Sequence, residues 1–347
     1  MNKINEVKKY YSQTIKKSSD LKTNACCTVE RPPKHILDAL NNIHPDIIKT
    51  YYGCGLIIPD HLEGLTILDL GCGSGHDVYL LSQFVGENGK VIGVDMTDEQ
   101  LIIAQNYEKY HQTQFGYRNK NTKFIKGYIE DLEEISSDTI DIVVSNCVIN
   151  LSANKQIVFD EIFRVLKEGG EFYFSDVYAS QRMNEELQND SMLWGECLSG
   201  ALYWNDFLSL VKKIGFLDPR LVKSNQIIPT NDKLAIKMAT KLTHIKFYSA
   251  TYRLFKLAGL EPDCENYDQK VIYKGTIPYN ENEWKLDEHH IFPVDTIYDV
   301  CGNTYNMLYK SRFNKHFEFI DSNVHIGIFP GCGKDMPFTS TGKKSCC

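Results

Sequence analysis

Short apolar runs alternate along the first two-thirds of the chain with stretches whose apolar side chains recur at helical spacing, a pattern that predicts strands alternating with helices. Ile67 to Leu70 reads as a buried strand. His76 to Val85, with Val78, Leu80, Leu81, Phe84 and Val85, reads as the helix that follows it. A second strand is expected over residues 90–95, then a helix opened by a Thr97–Gln100 capping box and running to Tyr110. Further strands are expected at 122–126, 140–151 and 171–176, with a helix over 155–167 that ends at Gly169-Gly170. A helix over 206–215 and a strand over 220–225 complete the series. The alternation predicts an α/β fold with a doubly wound, mostly parallel sheet.

Outside this region the pattern differs. Residues 3–19 space Ile4, Val7, Tyr10, Tyr11 and Ile15 as an amphipathic opening helix, and Pro32-Pro33 starts a short helix carrying Ile36, Leu37 and Leu40. Beyond about residue 230, the segments 247–255 and 269–276 mix β-branched and aromatic residues. They predict a smaller β-rich C-terminal appendage. The expected division is residues 1–228, 229–290 and 291–347, the last ending in a cysteine-containing tail.

Between the first strand and its helix lies Asp69-Leu70-Gly71-Cys72-Gly73-Ser74-Gly75. Three alternating glycines form a tight turn that lets backbone approach a ligand. The second strand ends in Asp95, 20 residues past Gly75, where a carboxylate can accept ribose hydroxyls. No lysine–serine pair follows the glycines, which argues against a triphosphate. The pairing resembles the Class I S-adenosylmethionine-dependent methyltransferases, which share this Rossmann-like sheet. The resemblance implies that Gly71, Gly73 and Gly75 border the methionine part of the cofactor and that Asp95 holds the ribose. Asp69, Ser74, Met96 and Asn146 at the same strand ends complete the expected cofactor site, and Ile129 and Glu130 suit an adenine border or a surface loop alike.

Charge and cysteine content narrow the chemistry. A formal charge of −7, with only short basic clusters, gives no attraction to phosphate backbones and excludes nucleic acid as a partner. With no apolar segment long enough to span a bilayer and no signal-like start, a cytoplasmic location is expected. In a reducing compartment, 11 cysteines point to thiol chemistry or soft-ion binding before structural disulfides. No Cys-x-x-Cys spacing suggests structural zinc, and His289-His290 lacks metalloprotease geometry. Residues 193–204, with Cys197 among small residues and aromatics, suit a pocket wall, but taken alone they favour plain core.

Four cysteines sit in unusual loops: Thr23-Asn24-Ala25-Cys26, Tyr51-Tyr52-Gly53-Cys54-Gly55-Leu56, Ser145-Asn146-Cys147-Val148-Ile149-Asn150-Leu151 and Trp194-Gly195-Glu196-Cys197-Leu198-Ser199-Gly200-Ala201-Leu202-Tyr203-Trp204. These motifs resemble those of the arsenite methyltransferases, animal and algal type, over residues from about 10 to 280. The resemblance implies that Cys54, Cys147 and Cys197 bind trivalent arsenic, that Cys26 is a redox partner of Cys54, and that Tyr52 contacts the cofactor. It also implies S-adenosylmethionine as methyl donor, and glutathione or thioredoxin as reductant. A monomer acting on a small arsenical is expected. Soft thiolates suit a soft three-coordinate centre. Cys27 stands beside Cys26, so which pair closes stays open. Two rival readings remain at this stage: a carbon or oxygen methyltransferase with structural cysteines, and a thiol-based arsenic binder without turnover.

Overall fold

The computed structural model describes residues 32–51, 55–188, 190, 193–194, 197–228 and 244–332. The amphipathic helix expected over residues 3–19 lies outside them. Two helices come first, α1 (Lys34–Asn41) and α2 (Pro45–Lys49). The His44 ring caps α2 by accepting the Asp46 N–H at 3.2 Å.

The alternating pattern then unfolds as β1 (Thr66–Leu70), α3 (His76–Val85), β2 (Lys90–Asp95), α4 (Asp98–Asn106), α5 (Glu108–Gln114), β3 (Thr122–Lys126) and β4 (Ile140–Asn146). It continues as α6 (Lys155–Val165), β5 (Leu166–Ala179), α7 (Glu185–Gln188), β6 (Leu202–Tyr203), α8 (Trp204–Ile214), β7 (Arg220–Gln226) and β8 (Phe247–Phe255). The main sheet runs β3-β2-β1-β4-β5-β8-β7, with β6 beside the end of β5. Strands from β3 to β5 pair in parallel, whereas β8 enters antiparallel to both neighbours. Alternate residues of each strand feed different cores. Leu68, Leu70, Ile92, Val94 and Val143 join one apolar cluster, while Ile67, Val91, Ile142 and Val144 join another. That division is the sign of a sheet covered on both faces.

Several local expectations change. Thr97 makes no side-chain cap at α4; its N–H instead binds Asp95 Oδ1 at 2.8 Å, so the capping box is not formed. The helix expected to reach Tyr110 breaks at Tyr107 into α4 and α5. Gly169-Gly170 does not end a helix. It lies inside β5, where Gly169 N–H binds Lys256 O and Lys256 N–H binds Gly170 O, beside a register shift in the β4–β5 ladder.

The largest difference concerns residues 247–255. Expected in the appendage, they form β8 and pair along nine residues with β5, from Glu171–Phe255 to Ala179–Phe247. The β-branched and aromatic composition that suggested a separate β-rich unit serves equally well in a central strand, since it reports burial on a pleated surface.

The chain divides into two compact units rather than the three segments expected. One comprises residues 1–256 and 285–290, the other 257–284 and 291–347. The second unit contains β9 (Glu265–Asn266), β10 (Gln269–Tyr273), the first two residues of β11 (Glu283–Lys285), β12 (Ile291–Pro293), β13 (Ile297–Val300), the helix α9 (Gly302–Tyr309), β14 (Phe317–Ile320) and β15 (Gly327–Ile328). Its three-stranded sheet runs β13-β10-β14, and its core is aromatic around Trp284, with Phe313 at 4.4 Å and Phe317 at 5.8 Å between ring centroids.

Candidate active site

Strand order reverses between β1 and β4, and the chain segments leaving the carboxyl ends of these strands carry the site residues. After β1 the backbone must fold sharply. Gly71, Gly73 and Gly75 have φ of 71°, 52° and 88°, and the N–H groups of Gly71 and Cys72 both bind Val94 O. A Cβ on Gly71 would approach Val148 to 2.5 Å and one on Gly75 would approach Phe124 to 2.8 Å. At Gly73 a Cβ would meet nothing within 4 Å among the described residues. Packing as well as φ therefore demands glycine at positions 71 and 75.

Carboxylates surround this turn. Asp69 is buried, and that burial, followed by the charges of Asp77 and Asp95, pushes its carboxyl well above the ordinary carboxylate range. Asp95 accepts the Gly73 N–H at 2.9 Å and the Thr97 N–H at 2.8 Å, one on each oxygen. Two backbone N–H donors thus hold this carboxylate at the end of β2. Carboxylates around the turn favour a ligand carrying positive charge, and Asp95 stands at the strand end where a ribose is met. Both features fit S-adenosylmethionine.

Beyond Asp95 a cleft of about 280 Å³ is lined by Val94, Met96, Ile125, Gly127 and Tyr128 among others. Ile129 packs against the core instead, and Glu130 Oε1 accepts the Ser152 hydroxyl at 2.6 Å; neither lines this cleft. Cys72 is buried in the turn, where burial raises its thiol strongly and keeps it protonated.

The sulfur-bearing loops lie at the next strand. Cys147 follows β4 with φ of 58°, its N–H held by Ser175 O at 2.9 Å. Cys197 has φ of 60°, its N–H held by Trp194 O at 3.0 Å. Left-handed backbone is unfavourable for residues with a Cβ, so two such cysteines mark strain held by their surroundings. The Cys197 thiol donates to Cys147 O at 3.3 Å, which brings the two loops together. Both are buried in an apolar cluster with Val177, Ala179, Met183, Leu198 and Ala201. Cys147 is in a disulfide.

Cys26, Tyr52 and Cys54 also lie outside the described residues. The residues flanking 52–54 do not. Asn146 Nδ2 donates to Gly55 O at 2.7 Å and Tyr51 Oη at 2.9 Å, and lies 3.2 Å from Asp77 Oδ2. Thr50 Oγ1 donates to Ser74 Oγ at 2.7 Å, and the Tyr51 ring lies against His76 at 3.9 Å between centroids. Both ends of the segment carrying Cys54 are thus tied to the glycine turn and to the residue preceding Cys147. Asp77, His76, Tyr51 and Asn150 were not expected as site residues. Asp77, an acid in the first turn of the helix behind a glycine turn, carried the one available sequence signal.

Comparison with known proteins follows the same outline. A family model described as a methyltransferase domain matches residues 61–215, and the arsenite methyltransferase C-terminal domain matches residues 266–339. The arsenite methyltransferase of Aquipseudomonas alcaligenes is 50% identical over 98% of this chain and 99% of its own length. This chain belongs to the arsenite methyltransferase family. The arsenite methyltransferase of Homo sapiens is 48% identical over 94% of this chain and 86% of its own. Among solved structures, the arsenic(III) S-adenosylmethionine methyltransferase of Chlamydomonas reinhardtii superposes with a TM-score of 0.82 at 42% identity, covering 86% of this chain and all of that one. As an arsenite methyltransferase family member, the chain has a methyltransferase sheet followed by the family's own C-terminal domain, so the likeness extends over both compact units.

Proposed function

We propose that this protein methylates trivalent arsenic held by Cys54, Cys147 and Cys197, with S-adenosylmethionine as methyl donor and glutathione or thioredoxin restoring its thiols. It is an S-adenosylmethionine-dependent arsenite methyltransferase. The observation that carries the thiol assignment is the 3.3 Å contact between Cys197 Sγ and Cys147 O, in an apolar wall beside the cofactor turn.

Three thiols condensing with arsenous acid form three As–S bonds and release three waters, with no net proton. The arsenic keeps its lone pair, so no general base is required. Bound S-adenosylmethionine supplies a methyl group activated by its sulfonium. The protein's own residues then have four tasks. Asp95 accepts the ribose hydroxyls, with its carboxylate held by two backbone N–H donors. Asp69 and Asp77 provide the negative field that favours a cation, and a bound cation draws Asp69 back toward its ionised form. Asn146 keeps the Cys54 loop against the Cys147 loop. Val177, Ala179, Met183 and Leu198 exclude water from the bound arsenic.

Methyl transfer raises arsenic formally to the pentavalent state. Its return requires two electrons, which two thiols supply by forming a disulfide with loss of two protons. The disulfide at Cys147 is consistent with thiol oxidation at this site. We assign the protein to the reducing cytoplasm as a monomer. Among the described residues no helix is long and apolar enough to cross a membrane.

The test is arsenite-dependent formation of S-adenosylhomocysteine with a thiol reductant present. Cys147→Ser and Cys197→Ser should each abolish it while leaving S-adenosylmethionine affinity intact. Turnover surviving both substitutions would remove the arsenic-site assignment.

A further inference from the structure

We propose that Asn150 is a positioning residue of the arsenic site, setting the spacing between the Cys147 and Cys197 loops without touching substrate. The proposal rests on the reading of these cysteines as arsenic ligands. Asn150 lies three residues after Cys147 in a single 3₁₀ turn, Ile149–Leu151, and its side chain is buried.

On one side it binds the end of β5 twice. Its N–H donates to Asp176 Oδ2 at 3.0 Å, and its Nδ2 donates to Val177 O at 2.6 Å. Asp176 is itself fixed by the Val177 N–H at 2.8 Å. With Cys147 N–H on Ser175 O, the loop carrying Cys147 is stapled to three successive residues of one strand.

On the other side stands Gly200. A Cβ built there would lie 1.9 Å from Asn150 O, closer than any side chain can come. Gly200 is a glycine because the backbone of the Cys197 loop passes directly over the Asn150 carbonyl. Cys197 touches Cys147, and Gly200, three residues on, touches Asn150, three residues on. Two contacts at the same offset fix both the distance and the rotation of one loop against the other, where a single contact would leave a hinge. Lys155 Nζ also donates to this carbonyl at 3.4 Å. A metalloid held by thiols from separate loops depends on such a supporting shell, since a site about 1 Å too loose loses its ligand geometry.

The experiment compares full-length wild type, Asn150→Ala, Asn150→Ser and Gly200→Ala under a thiol reductant. Four quantities are read: arsenite KM, kcat, S-adenosylmethionine Kd, and binding of phenylarsine oxide, a trivalent probe that takes two thiols. Asn150→Ala should raise arsenite KM at least about tenfold and weaken phenylarsine oxide comparably, with S-adenosylmethionine Kd changed less than about twofold. Asn150→Ser, which keeps a donor, should recover part of the loss. Gly200→Ala should give the same split between substrate and cofactor, and Asn150→Ala/Gly200→Ala should be less than additive because both displace the Asn150 backbone, one by freeing it from Val177 and the other by pushing on its carbonyl. An unchanged arsenite KM in Asn150→Ala and Gly200→Ala, or a loss expressed equally in cofactor affinity, would overturn the assignment. If Cys147→Ser and Cys197→Ser bind phenylarsine oxide as wild type does, the arsenic-site reading itself fails, and the positioning role with it.

Discussion

Asn146 Nδ2 donates to Gly55 O across 2.7 Å, joining residues 91 apart in sequence. One amide thereby closes the segment bearing Cys54 onto the strand end that precedes Cys147. A residue expected at the cofactor thus joins the segment flanking Cys54 to the strand end before Cys147.

Asn146→Ala removes the donor shared by Gly55 O and Tyr51 Oη. The arsenite KM should rise by about 10- to 100-fold, more than the S-adenosylmethionine Kd does, because the clamp acts on the thiol loop. Steady-state kinetics with each substrate varied, beside a cofactor titration, check the split. Equal losses in both would assign Asn146 to the cofactor alone.

The left-handed backbone at Cys147 predicts an unusual ranking of inactive variants. Both Cys147→Gly and Cys147→Ala lose the sulfur, but glycine relieves φ of 58° and alanine does not. In reducing buffer the glycine variant should be more stable than the alanine variant by about 1 kcal/mol. Urea denaturation would show this, and the reverse order would mean that the loop relaxes once the thiol is gone.

Gly73 and Gly75 should respond differently to alanine. Gly75→Ala drives a methyl to 2.8 Å from Phe124 in left-handed backbone, so a stability loss of about 2 to 4 kcal/mol is expected. Gly73→Ala meets no atom within 4 Å among the described residues and should cost only about 1 kcal/mol. Its effect falls on the donor: S-adenosylmethionine affinity should drop at least about tenfold, measured by calorimetry on the folded variant.

His111 predicts the acid limit of the fold. It is buried with its ring 3.6 Å from that of Tyr79, its Nε2 accepts the His44 N–H at 3.1 Å, and its Nδ1 faces Tyr107 O at 2.8 Å. Burial depresses its pKa to about 4, so the folded protein keeps the ring neutral while the unfolded chain titrates near the ordinary value of about 6.5. The unfolded chain therefore takes up the proton first as pH falls. This contribution is complete above pH of about 6.5 and is lost toward pH of about 4, on the order of 3 kcal/mol at most. His111→Gln should flatten the urea midpoint between these limits, and an unchanged pH profile would exclude His111 as its source.

Much of the fold and site was legible in local pattern. Ile67–Leu70 and Lys90–Asp95 announce themselves because a strand buried on both faces needs a mostly apolar run, whatever its neighbours. The glycine turn and Asp95 could be read because backbone conformation and a carboxylate at a strand end are local requirements. The four cysteine loops pointed to the family and to soft-ion chemistry through residue type.

What the tertiary structure decided are the relationships between distant segments. Residues 247–255 had the composition of any half-buried strand, and only pairing with β5 and β7 put them inside the main sheet. Nothing around Asn146 or Asn150 in sequence names Gly55 or Gly200 as a neighbour. The left-handed turn at Cys147 likewise has no local signal, since its N–H is held by Ser175 O, a contact made only after β4 and β5 pair. Side-chain period and turn chemistry are set by adjacent residues, whereas the meeting of two thiol loops is set by sheet order, and sheet order arises from burial summed over the whole chain.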